Sequence, residues 1–287
     1  MPDKYSAVWV SHSSMGDFLK CPRLYYLHNV YKDPVTKNKL AIVTPHMSLG
    51  IAVHAVLEGL AEFSSETRMD RDLLLTYEEE WEKVTGKRGG FLTKEDEELF
   101  KARGTVMLSN VKKDPKFLVS KRIKLPREVM NPNFYLSEDD NIILNGLVDW
   151  LEYLPETDSL HIVDFKTGKK EESESSLQLP IYLLLCHALQ KRKVTKASYW
   201  YLESDTLVEK ALPDEEKARE DVLRTARLVK DARDKNIFLC PNGEKGCFHC
   251  KPYEEILKLK KDGTSDTVES VGVGQFKQEL FIQLKSI

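Results

Sequence analysis

The sequence predicts an α+β fold with a mixed central β-sheet flanked by helices. Helical patterns dominate the first part of the chain, and three short runs rich in β-branched and aromatic residues follow them. A further helix, strand and helix come after these runs, and this order is typical of an α+β core. The 287 residues, 41% of them hydrophobic, are enough for the core of one large domain.

The first part of the chain is predicted to be helical. Apolar residues at helical spacing predict helices over 11–31 in two parts, 49–63, 70–84 and 93–111. The first of them breaks near Cys21 and Pro22. In the second, His54 and Glu58 are four residues apart and therefore share one face.

The middle and end of the chain supply the predicted sheet. Three antiparallel strands are predicted over 117–125, 142–153 and 160–166, followed by a helix over 175–190, a strand over 197–202 and a helix over 213–235. No internal repeat or linker interrupts the chain. We therefore predict a single domain made of a helical part (11–115), a core (116–210) and a C-terminal helix with a cysteine-containing tail (211–287).

Asp149, Asp164 and Lys166 form the strongest candidate site. Side chains alternate along a strand, so Asp164 and Lys166 point the same way, about 6 to 7 Å apart. Asp149 is expected on the preceding strand, within an apolar run, where an acid is costly unless it is paired or binds a metal. Two such carboxylates suit Mg²⁺ or Mn²⁺, and Lys166 could orient the attacking water of a phosphodiester hydrolysis. A surface ion pair beside a satisfied core acid is the alternative.

Five segments in order resemble the RecB-type signature of the PD-(D/E)XK nuclease superfamily, over roughly residues 11 to 253. They are 11–26, 49–54, the pair 146–149 and 161–168 taken together, 177–182, and the C-terminal cysteines Cys240, Cys247 and Cys250. The resemblance implies a restriction-endonuclease-like core with an N-terminal helical elaboration. It also implies that His54 joins Asp149 and Asp164 at the metal, and that Gln178 and Tyr182 form the edge where DNA enters. Taken alone, a histidine on an amphipathic helix such as His54 is more often a packed histidine than a ligand.

Four of the five cysteines form a second candidate site. Cys240, Cys247 and Cys250 have the spacing C-x6-C-x2-C, and Cys21 stands alone near the start. In the family that the chain resembles, such a set holds a [4Fe-4S] cluster. The extra cysteine before the pair departs from the usual spacing, so zinc is the alternative, with His28 and His249 as reserve donors. Cys186, in an apolar run, is expected to be a buried small hydrophobe.

Charge and hydropathy exclude some classes of protein. The net charge of −3 gives no general argument for nucleic-acid binding. Three basic clusters nevertheless flank the predicted site, which supports a local phosphate-binding surface. The clusters are Lys121, Arg122, Lys124 and Arg127; Lys169 and Lys170; and Lys191, Arg192, Lys193 and Lys196. No apolar run is long enough for a membrane span and no secretory signal is present, so we expect a cytoplasmic protein.

Three functions fit these patterns. The first is a metal-dependent DNA exonuclease that acts on single strands or ends, as in repair, recombination or CRISPR spacer processing. The second is a module that binds DNA ends without cutting them, stapled by an iron-sulfur or zinc centre. The third is a zinc-stapled structural adaptor. The sequence favours the enzyme because a binding-only protein has no need to keep Asp149, Asp164, Lys166 and Gln178 together. No nucleotide-binding P-loop is present, so unwinding would need a helicase partner or a CRISPR adaptation partner.

Overall fold

The computed structural model describes residues 3–126, 131–274 and 277–285. Within it the chain forms two compact units. The first consists of Met1–His12, Leu49–Trp81 and Lys101–Arg227, and the second of Ser13–Ser48, Glu82–Phe100 and Leu228–Ile287. The single domain with boundaries near 115 and 210 stays a prediction. Arg127 of the predicted basic clusters lies outside the described residues.

Eight α-helices and ten strands occur in the described residues. The helices are α1 (His12–Lys20), α2 (Pro22–Tyr25), α3 (Pro45–Gly59), α4 (Leu73–Glu82), α5 (Lys94–Lys113), α6 (Gln178–Leu189), α7 (Glu215–Lys235) and α8 (Lys251–Asp262). The strands are β1 (Val8–Val10), β2 (Lys39–Val43), β3 (Asn133–Ser137), β4 (Ile142–Asn145), β5 (Trp150–Leu154), β6 (Ser159–Lys166), β7 (Val194–Tyr201), β8 (Thr206–Lys210), β9 (Val268–Val273) and β10 (Gln278–Gln283). None of the helices described is long and apolar enough to cross a membrane.

The first unit contains the predicted mixed sheet. Its four strands have the order β5-β6-β7-β8, and β6 pairs antiparallel with β5 and parallel with β7. Strand β6 is buried along almost its whole length. A second sheet of the same unit has the order β1-β4-β3. The α+β class and the mixed sheet predicted from the sequence are confirmed.

The two faces of β6 have different surroundings because side chains alternate along a strand. Phe165 packs against Trp150 and Trp200, with ring centroids 6.3 and 6.1 Å apart, in an aromatic core on one face. Asp164 and Lys166 point to the other face. Helix α6 lies against β3, β4 and β7. A Cβ atom on Gly146 would lie 2.9 Å from a Leu185 methyl carbon of α6, so a larger residue there would push that methyl group aside.

Two strand predictions were wrong. The predicted strand 117–125 begins as a 3-10 turn (Lys116–Val119) and pairs only through an isolated bridge between Arg122 and Glu152. The buried Arg68 guanidinium donates hydrogen bonds to the carbonyl oxygens of Leu118 and Ser120. These two carbonyl groups therefore bond to a side chain and not to a neighbouring strand. The predicted strand 142–153 is two strands in different sheets, and Asp149 lies in the connection just before β5.

The second unit contains a sheet that the sequence patterns did not predict. Its order is β2-β10-β9, with β2 parallel and β9 antiparallel to β10. Buried residues of this sheet, of α2 and of α8 share one cluster, which also contains Cys21, Cys240 and Cys250. The break predicted at Cys21 and Pro22 is present, because α1 ends at Lys20 and α2 begins at Pro22.

Candidate active site

Asp164 and Lys166 sit side by side at the end of β6, as their spacing predicts. The Lys166 ammonium lies 2.8 Å from Asp164 Oδ2 and donates to Gln178 Oε1 at 2.5 Å. It also lies 4.7 Å from the centre of the Tyr199 ring. Burial lowers the pKa of Lys166, but the carboxylates of Asp164 and Glu172 outweigh it and raise the pKa overall. Lys166 is therefore held as a cation.

Asp149 faces Asp164 although it precedes β5. Trp150 pairs with Val163, so continuing that antiparallel register by one residue brings Asp149 opposite Asp164. Asp149 Oδ2 accepts a hydrogen bond from the Phe165 backbone N–H at 2.9 Å. Burial and then the charge of Asp164 raise the pKa of Asp149. A second buried carboxylate beside Asp149 favours a bound cation at this place.

His54 of α3 joins Asp149 on the same side. Its Nδ1 lies 3.6 Å from Asp149 Oδ2 and 3.6 Å from Glu58 Oε1, and its Nε2 lies 3.1 Å from the Phe165 carbonyl oxygen. The ligand atoms of His54, Glu58 and Asp149 all lie within 4.8 Å of one another. Burial lowers the pKa of His54, but the neighbouring carboxylates outweigh burial and raise the pKa to about 9.

Gln178 and Tyr182 contact Asp164 directly. The Gln178 amide donates to Asp164 Oδ1 at 2.6 Å, and the Tyr182 hydroxyl donates to the same oxygen at 3.2 Å. Gln178 also donates to the Tyr182 oxygen at 3.1 Å. Both side chains are buried. Their shared helix face agrees with the four-residue spacing, and their role at the edge where DNA enters stays a prediction.

The donor set fits a divalent cation. Asp164 Oδ2 is buried, and the Lys166 ammonium that lies 2.8 Å from it makes no well-directed hydrogen bond to it. Carboxylate oxygens and an imidazole are ligands that Mg²⁺ or Mn²⁺ accepts. Glu58 is a candidate ligand that joins His54 and Asp149. Its four-residue spacing to His54 was its only signal in the sequence.

Several predicted basic residues are engaged with acids or aromatic rings. Arg122 lies over the Trp150 ring and donates to the Asp149 carbonyl oxygen at 3.0 Å, so it supports the connection that carries Asp149. Ion pairs hold three further members of the basic clusters: Lys124 with Glu62, Lys169 with Glu203 and Arg192 with Asp158. The phosphate-binding surface stays a prediction.

The four predicted cysteines converge in the second unit. The sulfur atoms of Cys21, Cys240, Cys247 and Cys250 all lie within 4.8 Å of one another. Cys250 Sγ is 3.8 Å from Cys240 Sγ and 3.8 Å from Cys247 Sγ. Cys186 is buried away from this group, as expected of a small hydrophobe.

The backbone around these cysteines suits thiolate ligands. The N–H groups of Cys247 and Asn242 donate to the sulfurs of Cys250 and Cys240. Gly246 has a positive φ of 70°, and a Cβ atom there would lie 3.3 Å from Cys250 Sγ, so glycine lets the chain turn close to the sulfurs. His28 instead contacts Asp17 at 2.8 Å. The four sulfurs are a complete ligand set for a soft metal centre.

Comparison with known proteins supports the nuclease interpretation. The family model described as the PD-(D/E)XK nuclease superfamily matches residues 9–256. A comparison with curated proteins finds no match. The matched range contains both candidate sites.

Proposed function

We propose that this chain, which belongs to the PD-(D/E)XK nuclease superfamily, is a divalent-metal-dependent DNA exonuclease that acts on single strands or DNA ends. Membership supports a phosphodiester hydrolase. The observation that carries the proposal is the grouping of two buried carboxylates, His54 and a protonated lysine within one unit. An ordinary surface pair would not bury both acids beside each other.

The metal would be held by Asp149, Asp164 and His54, with Glu58 as a further donor. When bound, Mg²⁺ or Mn²⁺ supplies a Lewis acid and lowers the pKa of a coordinated water. The ligand atoms of His54, Glu58 and Asp149 lie within 4.8 Å of one another, and Asp164 is buried opposite Asp149, which supports this ligand set.

Lys166 has a different role from the carboxylates. Its raised pKa keeps it protonated, so it stabilises negative charge and orients a water or a phosphate oxygen by donating hydrogen bonds. Gln178 and Tyr182 fix the Asp164 carboxylate through Oδ1, and Oδ2 faces Lys166. Arg122 holds the backbone at Asp149. The acids and the lysine are therefore positioned before substrate arrives.

The proposal that the protein cleaves DNA from its ends rests on the order of the sequence motifs. The five segments occur in the order of RecB-type nucleases, and this supports an exonuclease in repair, recombination or CRISPR spacer processing. Strand separation would come from a helicase or an adaptation complex, because the sequence has no P-loop. A cytoplasmic location stays a prediction.

Cleavage of end-labelled oligonucleotides tests the function. Single-stranded DNA, duplex DNA and RNA are incubated with Mg²⁺, with Mn²⁺ or with EDTA, and an Asp164→Asn variant is the control. We expect metal-dependent loss of DNA from one end, absent in the variant. Internal cuts would indicate an endonuclease. Retained DNA binding without cleavage under any metal would favour the non-cutting end-binding module.

For the cysteine group we propose a single Zn²⁺. Four thiolates on one zinc, with bonds of about 2.3 Å, form a tetrahedron with edges of about 3.8 Å. The two sulfur pairs at 3.8 Å fit this spacing. In a [4Fe-4S] cluster each thiolate binds a different iron, so the sulfurs must stand farther apart to enclose the cluster. The geometry therefore favours zinc over the iron-sulfur cluster expected from the resemblance.

Metal analysis with absorption spectroscopy on anaerobically purified protein tests this assignment. We expect one zinc per chain, no iron and a colourless protein. Four irons per chain and a broad band near about 400 nm would establish the cluster instead.

A further inference from the structure

The Lys166 ammonium has three acceptors close to it. Besides Asp164 and Gln178, the carboxylate of Glu172 lies 3.1 Å from Lys166 Nζ. An ammonium group carries three N–H donors. The three contacts can therefore occupy all of them. If Lys166 is to bind a phosphate oxygen of a substrate, one of these partners must leave.

Glu172 is the partner that can leave most easily. Asp164 is 2% exposed and lies on the central strand, and Gln178 is buried in the first turn of α6. Glu172 lies in the segment 167–177 between β6 and α6, and 27% of its side chain is exposed. Its carboxylate can swing toward solvent without disturbing a helix or a strand.

The backbone of Glu172 is fixed although its side chain is accessible. The Glu172 N–H donates to the Tyr201 hydroxyl at 2.9 Å, and Tyr201 belongs to β7. Burial raises the pKa of Glu172, but Lys166 and Ser176 outweigh it and lower the pKa, so the group is a carboxylate at neutral pH. An anion is therefore presented to Lys166 from a fixed point.

We propose that the Glu172 carboxylate occupies the position on Lys166 that a phosphate oxygen of the nucleic acid takes when substrate binds. Glu172 is then a positioning residue: it keeps the lysine extended and aimed in the free protein, and it lowers substrate affinity because the phosphate must displace it. This inference rests on the proposed nuclease function. No motif of the recognised signature includes this residue.

A double-mutant cycle on DNA binding tests the proposal. Fluorescence anisotropy with labelled single-stranded DNA in EDTA compares the wild-type protein with Glu172→Gln, with Lys166→Met and with the double variant. Glu174→Gln is the matched control, because it removes one charge from the same segment at an exposed position. We expect Glu172→Gln to tighten binding about five-fold, the scale of one partly exposed ion pair. In the Lys166→Met background the effect should fall to that of Glu174→Gln.

Single-turnover cleavage at saturating DNA supplies the second readout. The Glu172→Gln rate should stay within about two-fold of wild type, since the carboxylate has left before the chemical step. Equal effects of Glu172→Gln and Glu174→Gln on affinity, or an unchanged effect in the Lys166→Met background, would overturn the proposal. So would a 100-fold slower rate with unchanged affinity, because Glu172 would then act in the chemistry. A protein that shows the binding cycle but never cuts would refute the nuclease function alone.

Discussion

Replacement of Lys166 by methionine should slow cleavage while leaving metal binding intact. Only 15% of the Lys166 side chain is exposed, so solvent screens its charge weakly. Loss of one preorganised charge at a transition state costs about 2.7 to 4 kcal/mol, or about 100-fold to 1000-fold in rate. The variant removes a cation 2.8 Å from Asp164 and no proposed ligand. Mn²⁺ should therefore bind as tightly as in wild type, or more tightly.

Calorimetric titration of Mn²⁺ and single-turnover cleavage measure the two effects separately. Lys169→Met is the matched control, because Lys169 is an exposed lysine just after the same strand and pairs with Glu203. Its rate should stay within about two-fold of wild type. Thermal unfolding of both variants shows whether the fold is intact. A normal cleavage rate in Lys166→Met would refute the reasoning and favour a protein that binds DNA without cutting it.

Four further predictions follow from the contacts of the two sites. Asp149→Asn removes an anionic ligand, so calorimetry should show weaker Mn²⁺ binding, and cleavage should be lost with it; unchanged affinity would remove Asp149 from the metal site. Gln178→Ala should slow cleavage about 10-fold with metal affinity nearly intact, because Gln178 orients Asp164 without being a proposed ligand; full activity would exclude this role. His54 must lose a proton to bind a metal, and its pKa of about 9 lies above neutrality. Mn²⁺ affinity should therefore rise as the pH is raised from 6 towards 9, and a flat profile would exclude His54. Cys240→Ser should lose bound metal and thermal stability together, since ligand binding contributes to folding free energy; retained metal by elemental analysis would contradict the four-sulfur site.

The sequence predicts the site well where side chains follow a strand or helix period. Asp164 and Lys166 share a face of β6 because residues two apart always do. Gln178 and Tyr182 share a face of α6 because four residues make about one helical turn. The convergence of Asp149 on Asp164 also holds, although Asp149 lies before its strand. The antiparallel register of β5 and β6 extends far enough to pair them.

Long-range contacts explain what the sequence patterns missed. The run 142–153 is apolar throughout, and nothing in it shows that β4 and β5 join different sheets. Which sheet β4 or β5 joins depends on the strands with which it pairs, and some of these strands lie far away in the chain. The parallel pairing of β2 with β10 joins residues 39–43 to 278–282, a separation that local periodicity does not reveal. Glu172 likewise had no signal, because its role depends on where the segment 167–177 returns to Lys166.

Anomalous X-ray scattering from crystals soaked in Mn²⁺ tests the central claim most directly. The claim is that the two buried aspartates and His54 form a divalent-cation site beside Lys166. Diffraction data collected at the manganese absorption edge should show a peak bounded by His54, Asp149 and Asp164, and the peak should vanish in Asp149→Asn crystals. A peak only elsewhere, or none at this position at saturating Mn²⁺, would contradict the account.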